Sequence, residues 1–206
     1  MLFRSNAAFH NLQALEEILF QIDSRTDLIG VVFSGLGGHA AAGSREAMRD
    51  LLAAGFESLL DAIEEIAIPT LGVLEGEVCG AALDLALCCD IRIGVRGARA
   101  ALPSAALGIH HHPGGLRRLV ARVGQSAAMK LLLAGHTMED EEMLRTGLVN
   151  ELVAAHERQS RLDRHAAALA DCNATVVRGM KRHILQSGRI GFDEAGARHA
   201  HLLSLR

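Results

Sequence analysis

The 206-residue chain is half apolar, carries a formal charge of −3, and holds six Phe with no Trp or Tyr. That length suits one well-buried domain. So little charge and so few aromatic rings remove the electrostatic and stacking grounds for a nucleic-acid or anionic-membrane partner. The first ten residues, MLFRSNAAFH, hold no apolar run of the signal-peptide kind, and the longest apolar stretches are interrupted by Asp84, Asp90 or Arg92. They fall short of the ~20 residues a membrane-spanning helix needs, so a soluble cytoplasmic protein is expected. Cys79, Cys88, Cys89 and Cys172 show no metal-type pairing and read as free thiols, mostly buried, in a reducing compartment.

In chain order, Phe9, Leu12, Leu15, Leu19 and Ile22 recur at helical spacing and predict a helix over 8–22. A polar turn over 23–27 precedes a buried-type strand over 28–33. Gly35, Gly37 and Gly38 then mark a loop that runs close to something. Met48, Leu51, Leu52, Phe56, Leu59, Leu60 and Ile63 form the apolar face of a helix over 45–66, stopped by Pro69. A short apolar run follows to Gly76. The small-residue turn Gly80-Ala81-Ala82 opens an apolar helix carrying one acid, Asp84, and a strand over 90–95 comes next. Residues 97–115 read as a loop rich in Ala, Gly and His, and from Leu116 the pattern is helical with breaks near Gly124, Gly135, Gly147 and Gly191. Strands alternating with helices point to an α/β fold.

The Gly80 turn has a chemical reading. A turn without bulky side chains, where a strand meets a helix N-terminus, presents free N–H groups to a ligand. A carboxylate about one turn into that helix can face the same ligand, a layout for polarising a carbonyl and moving a proton beside it. The plainer readings are close packing of helix on strand at Gly80, and a helix N-terminal charge at Asp84. His110-His111-His112, just before Pro113-Gly114-Gly115, adds groups that titrate near neutrality, or is a polar loop with incidental histidines. Three consecutive side chains do not easily face one ion, so no metal site is expected.

Pro69, Gly76, Gly80, Asp84, Leu85-Ala86-Leu87, Cys89-Asp90 and Arg92-Ile93 fall in register on the signature segment of the crotonase, or enoyl-CoA hydratase/isomerase, superfamily, which this chain resembles. The resemblance runs on through Pro103, Leu107-Gly108, Pro113-Gly114-Gly115, Val123-Gly124, Gly135 and Gly147-Leu148-Val149. Upstream, the strand ending at Ser34-Gly35 and the run Ala41-Ala42-Gly43-Ser44 extend it. It implies a crotonase-like spiral of β-β-α units over 1–150 with the N-terminal strands missing. A shortened C-terminal helical region, 151–206, would build a homotrimer or a dimer of trimers.

The resemblance also implies a substrate, an acyl-CoA or acyl-carrier thioester, with no other cofactor. Its enolate would be stabilised by the backbone N–H groups of Ser44 and Ala81, with Ala42, Gly43 and Gly80 shaping the substrate site. Asp84 matches the first catalytic carboxylate of the hydratases. The second carboxylate is replaced by Ser104, and serine is no general base at neutral pH without a partner. His112 matches a loop position where some branches carry a catalytic Asp, which makes Asp84 with His112 a candidate proton-transfer pair. The expected activity is that of a lyase or isomerase of lipid metabolism. A double-bond isomerase, a decarboxylase, or a non-catalytic binding or assembly subunit of the same fold are the alternatives.

Overall fold

The structure, a computed structural model, describes residues 2–6, 12–23, 25, 27–37 and 55–189. The expected helix over 45–66 is therefore described from Gly55 onward. Gly38, the run Ala41 to Ser44 and the break near Gly191 lie outside the described residues.

Strand β1 (Leu2–Asn6), helix α1 (Leu12–Asp23), β2 (Gly30–Ser34), α2 (Phe56–Glu64), β3 (Thr70–Leu74), β4 (Glu77–Cys79), α3 (Ala81–Cys88), β5 (Ile91–Val95) and β6 (Arg99–Ala101) come first. They are followed by α4 (Pro113–Leu133), β7 (Met138–Glu139), α5 (Asp140–Thr146), β8 (Glu151–Val153), α6 (Arg158–Ala170) and α7 (Ala174–Ser187). Parallel strands in the order β1-β2-β3-β5-β8 form the main sheet, and β4-β6-β7 form a smaller one.

The two sheets are made by one device used twice. β3 pairs with β5 in the first sheet, Leu71 opposite Ile91 and Val73 opposite Ile93. Each chain then turns a corner at a glycine of positive φ, Gly76 at 65° and Gly97 at 83°. It continues into the second sheet, where β4 pairs with β6. The Arg99 N–H on the Gly76 carbonyl, 2.8 Å, ties the corners together. Strand, corner, strand and helix thus repeat as β3-β4-α3 and β5-β6-α4, the β-β-α unit expected from the resemblance.

Period-two alternation sends side chains to opposite faces of the main sheet. Val31 and Phe33 join a large core with Leu15, Phe56, Leu60, Leu83 and Leu119. Val32 points the other way, into a smaller core with Leu71, Val73, Ile93, Val153 and Leu162. Helix α3 is buried from Ala82 to Cys88, which accounts for its nearly unbroken apolar sequence. Gly37 runs against the turn after β3: a Cβ there would sit 1.4 Å from the Glu75 carbonyl oxygen, so only glycine fits.

Several residues of the family-like segment serve this frame rather than chemistry. Asp90 accepts hydrogen bonds from the Thr70 N–H (2.8 Å) and from Lys181 Nζ (2.6 Å), pinning α7 to the ends of β3 and β5. Lys181 also donates to the Ile68 carbonyl at 3.1 Å, so this basic residue is committed internally. Arg92 is buried and donates to the carbonyls of Leu148 and Cys89, at 2.6 and 2.7 Å.

β1 and β4 lie where no strand is expected, and three further short strands depart from the expected pattern. β6 lies in what reads as loop, and β7 and β8 lie in what reads as helix. Two or three residues are too few for a periodicity to register, and these strands exist because β4, β6 and β5 offer edges to β6, β7 and β8 in turn. β8 carries the main sheet past residue 150 to Val153. The breaks at Gly124, Gly135 and Gly147 occur as expected, with φ of 75°, 61° and 81°. Cys88 and Cys89 are buried free thiols, whereas Cys79 is half-buried and Cys172 exposed. No described helix is long and apolar enough to cross a membrane.

Candidate active site

Gly80 takes φ 56°, ψ −126°, a conformation open to glycine and closed to residues with a Cβ. Its own N–H is held by the Ala101 carbonyl at 3.2 Å, which docks the start of α3 on the end of β6. No side chain caps α3, so the first-turn N–H groups, Ala81 among them, are left for a ligand. Ala81 and Ala82 stand at positions where the family prefers glycine. Both are tolerated because only Gly80 in this turn needs positive φ. The companion donor expected at Ser44, with Ala42 and Gly43, lies outside the described residues.

Asp84 sits in the first turn of α3, 4% exposed. Its partner is His111, whose Nε2 is 3.0 Å from Asp84 Oδ1. The other ring nitrogen of His111, Nδ1, is 3.2 Å from Ser104 Oγ. Ser104 follows β6 by three residues, and β6 is the strand docked on Gly80, so the serine, the histidine and the acid converge at the α3 N-terminus.

The expected pairing of Asp84 with His112 is thereby corrected: the histidine hydrogen-bonded to Asp84 is His111. His112 is instead the N-cap of α4, with Nδ1 accepting the Gly115 N–H at 3.0 Å. The same Nδ1 lies 3.2 Å from Glu57 Oε1 on α2. The other ring nitrogen, Nε2, is buried and has no hydrogen-bond partner among the described residues. The two rings stack with centroids 5.2 Å apart, and His110 is exposed to solvent.

Their surroundings drive the two histidines apart. Burial pulls His111 down, but the charge of Asp84 and its hydrogen bond outweigh this and raise the pKa above the ordinary value. At His112 burial dominates, only partly offset by Asp84 and Glu57, and the pKa is lowered. Neighbouring titratable groups with pKa values displaced in opposite directions are a signature of acid/base sites.

One ligand-type atom each from Asp84, His111 and His112 lie within 4.8 Å of one another. The hydrogen bonds fit a proton relay better than a metal cage. His111 has both nitrogens engaged, one by Asp84 and one by Ser104. Asp84, Ser104 and the Gly80-Ala81 turn were legible in sequence. His111 was passed over because His112 occupies the matched loop position.

Gly115 makes room for this arrangement. A Cβ on it would lie 2.6 Å from His111 Nε2 and 2.9 Å from His112 Nε2. Gly115→Ala is therefore expected to displace both imidazoles without entering the core, lowering turnover by about 10²-fold, the scale of an ångström-sized misplacement. Kinetics alongside a thermal melt check this: the melt should shift little. Separately, a cleft of about 620 Å³ lined by Glu65, Ala67, Arg178, Arg182 and Arg189 opens between the end of α2 and α7, with none of the site residues in its lining.

A family model described as Enoyl-CoA hydratase/isomerase matches residues 15–194. A protein described as a probable enoyl-CoA hydratase from Mycobacterium bovis is 27% identical over 183 residues, covering 84% of this chain and 71% of that protein. A 2,3-dehydroadipyl-CoA hydratase from Escherichia coli is 31% identical over 127 residues, 58% of this chain and 50% of that protein. Among solved structures, an enoyl-CoA hydratase/carnithine racemase from Magnetospirillum magneticum superposes with TM-score 0.77 at 21% identity, covering 88% of this chain and 72% of that one. ThnE from S. clavuligerus gives 0.76 at 20% identity, covering 96% and 95%. At such identities the structural likeness is one of fold.

Proposed function

Because the chain belongs to the enoyl-CoA hydratase/isomerase family, we propose that its Asp84–His111 pair moves a proton on the enolate of an acyl-CoA thioester. The observation that carries this reading is the buried Asp84 carboxylate, bonded to His111, on the helix whose uncapped N-terminus presents the Ala81 N–H. A backbone donor aimed at a thioester oxygen stabilises the charge that develops there, by about 3 kcal/mol for one donor.

A double-bond shift is the reaction this geometry supports best. One acid/base pair can take a proton from one carbon and return it to another, whereas hydration by two carboxylates has no second carboxylate at Ser104. Hydration or dehydration is the second reading, supported by Ser104 Oγ, which can hold a water beside His111. The substrate is the coenzyme A thioester itself, and no step calls for a further cofactor.

Incubation with 2-enoyl and 3-enoyl CoA thioesters of several chain lengths, followed by absorbance and product analysis, tests this directly. The expected result is interconversion of the two, with a rate that falls as pH drops through the raised pKa of His111. The proton-accepting form exists above that pKa and is lost below it. Burial, Asp84 on α3, Arg118 on α4 and Glu57 on α2 set the midpoint. A thioether analogue that binds while no enoyl thioester turns over would leave a binding subunit of the same fold.

Self-association through α7 belongs to the same proposal. Val176, Met180 and Ile184 lie at successive fourth positions and are 53, 54 and 69% exposed, an apolar stripe with no cover among the described residues. Sedimentation is expected to give a trimer or a pair of trimers, and Met180→Glu to shift it toward monomer.

A further inference from the structure

Ser104, His111 and Asp84 form a single hydrogen-bonded line, and for the neutral His111 ring the proton bookkeeping along it has one consistent solution. Asp84 is an acceptor, so His111 Nε2 carries the proton of the 3.0 Å bond. The Nδ1 of the neutral ring then holds a lone pair, and the Ser104 hydroxyl donates into it at 3.2 Å. A hydroxyl on a histidine whose far nitrogen is held by a buried carboxylate is the arrangement that activates serine as a nucleophile, and it is recognised by geometry and not by chain order. The side chains of His111 and Asp84 are 9% and 5% exposed, so the pair is shielded, whereas Ser104 is only half-buried. The residue in the place of the second carboxylate is Ser104, and it has the partner that serine needs.

We propose that Ser104 is an acyl-accepting nucleophile, and that the protein hydrolyses acyl-CoA thioesters through an acyl-serine intermediate. This rests on the reading above that the site receives a CoA thioester. In the first half, Ser104 Oγ bonds to the thioester carbonyl carbon while its proton passes to His111 Nδ1. The negative charge on the carbonyl oxygen is met by the Ala81 N–H. Collapse breaks the carbon–sulfur bond, and the CoA thiolate leaves with the proton from His111. In the second half, water gives a proton to His111 Nδ1 as its oxygen bonds to the acyl carbon. Ser104 Oγ then departs and recovers that proton. The sum is thioester plus water giving carboxylic acid plus CoA thiol, with no oxidant, reductant or metal required. Asp84 stays ionised throughout and steadies the imidazolium formed in each half, and its attraction is what raises His111.

The test uses the intact chain with saturated acyl-CoA thioesters of graded length, which have no double bond to shift or hydrate. Release of free CoA is followed with a thiol reagent, and acid-quenched protein is weighed for an acyl adduct. A serine-directed fluorophosphonate and a non-cleavable CoA thioether analogue complete the set. CoA release, an acyl or phosphonyl adduct mapped to Ser104, and loss of both in Ser104→Ala by at least 10²-fold are the expected results. Ser104→Cys, which keeps a nucleophile, should still become acylated. Thioether binding with neither CoA release nor a Ser104 adduct overturns the nucleophile and leaves the thioester site standing. Absence of thioether binding overturns both. Hydrolysis by Ser104→Ala at the wild-type rate also overturns the proposal, because water would then attack without an acyl-serine.

Discussion

Asp84→Asn is expected to lower kcat by about 10²- to 10⁴-fold on any substrate whose reaction passes through His111, the usual scale of general acid–base help. The replacement keeps size and shape at a position that is 4% exposed, so packing of α3 is preserved. It removes the charge that holds the His111 Nε2–H and steadies the protonated ring. Two readouts separate this from a folding defect. KM should change far less than kcat, because the Ala81 N–H and the apolar surroundings are untouched. The His111 pKa, followed by NMR, should fall below its wild-type value, since the carboxylate's charge and hydrogen bond are what outweigh burial there. A variant with wild-type turnover would remove Asp84 from the chemistry.

The second large effect is on stability. Glu64 is 1% exposed at the end of α2 and is surrounded by arginines. Arg117 donates to both of its oxygens, one at 3.1 Å. Arg118 lies 3.6 Å away and Arg189 Nη2 donates at 3.2 Å. Arg118 is itself fully buried, donates to Asp61 at 2.7 Å, and leaves Nε and Nη2 without partners among the described residues. Removing one member of a buried ion cluster strands the others, which typically costs about 3–5 kcal/mol. Glu64→Leu is expected to fall in that range by denaturant unfolding, since it leaves Arg118 with only the half-exposed Asp61. Glu64→Leu combined with Arg118→Met should recover part of the loss, because the stranded charge goes too.

The same cluster sets an acid limit. Burial by itself would raise the Glu64 carboxyl, but the hydrogen bond and charge of Arg117, with Arg118 and Arg189, hold it below the usual value. A carboxylate depressed in the folded state contributes stability above its unfolded pKa and loses it as pH falls toward the folded one. Unfolding free energy should therefore decline below about pH 4.5, the ordinary range for Glu, and Glu64→Leu should flatten that decline.

Much of this molecule was already determined along the chain. Strands β2 and β3 are largely apolar runs, and β5 departs from one at Arg92, because both faces of the main sheet are covered. Pro69, Gly76, Gly80, Gly124 and Gly147 are where the backbone stops, turns a corner or caps a helix, and each is local chemistry that needs no partner to be read. Asp84 stands out because a charge inside a helix buried from Ala82 to Cys88 requires a reason. What the tertiary structure decided is how separated residues meet. Strands β6, β7 and β8 are two or three residues long and owe their form to a neighbouring edge, which no periodicity within them could announce. Which of three adjacent histidines reaches Asp84 depends on α4. Its N-cap takes His112 for the Gly115 N–H and leaves His111 to reach across to an acid twenty-seven residues earlier. Ser104 becomes more than a missing carboxylate only when that ring swings against it. Periodicity, turns and caps report on neighbours within a few residues, whereas a relay between a helix and the loop joining β6 to α4 is created by packing alone.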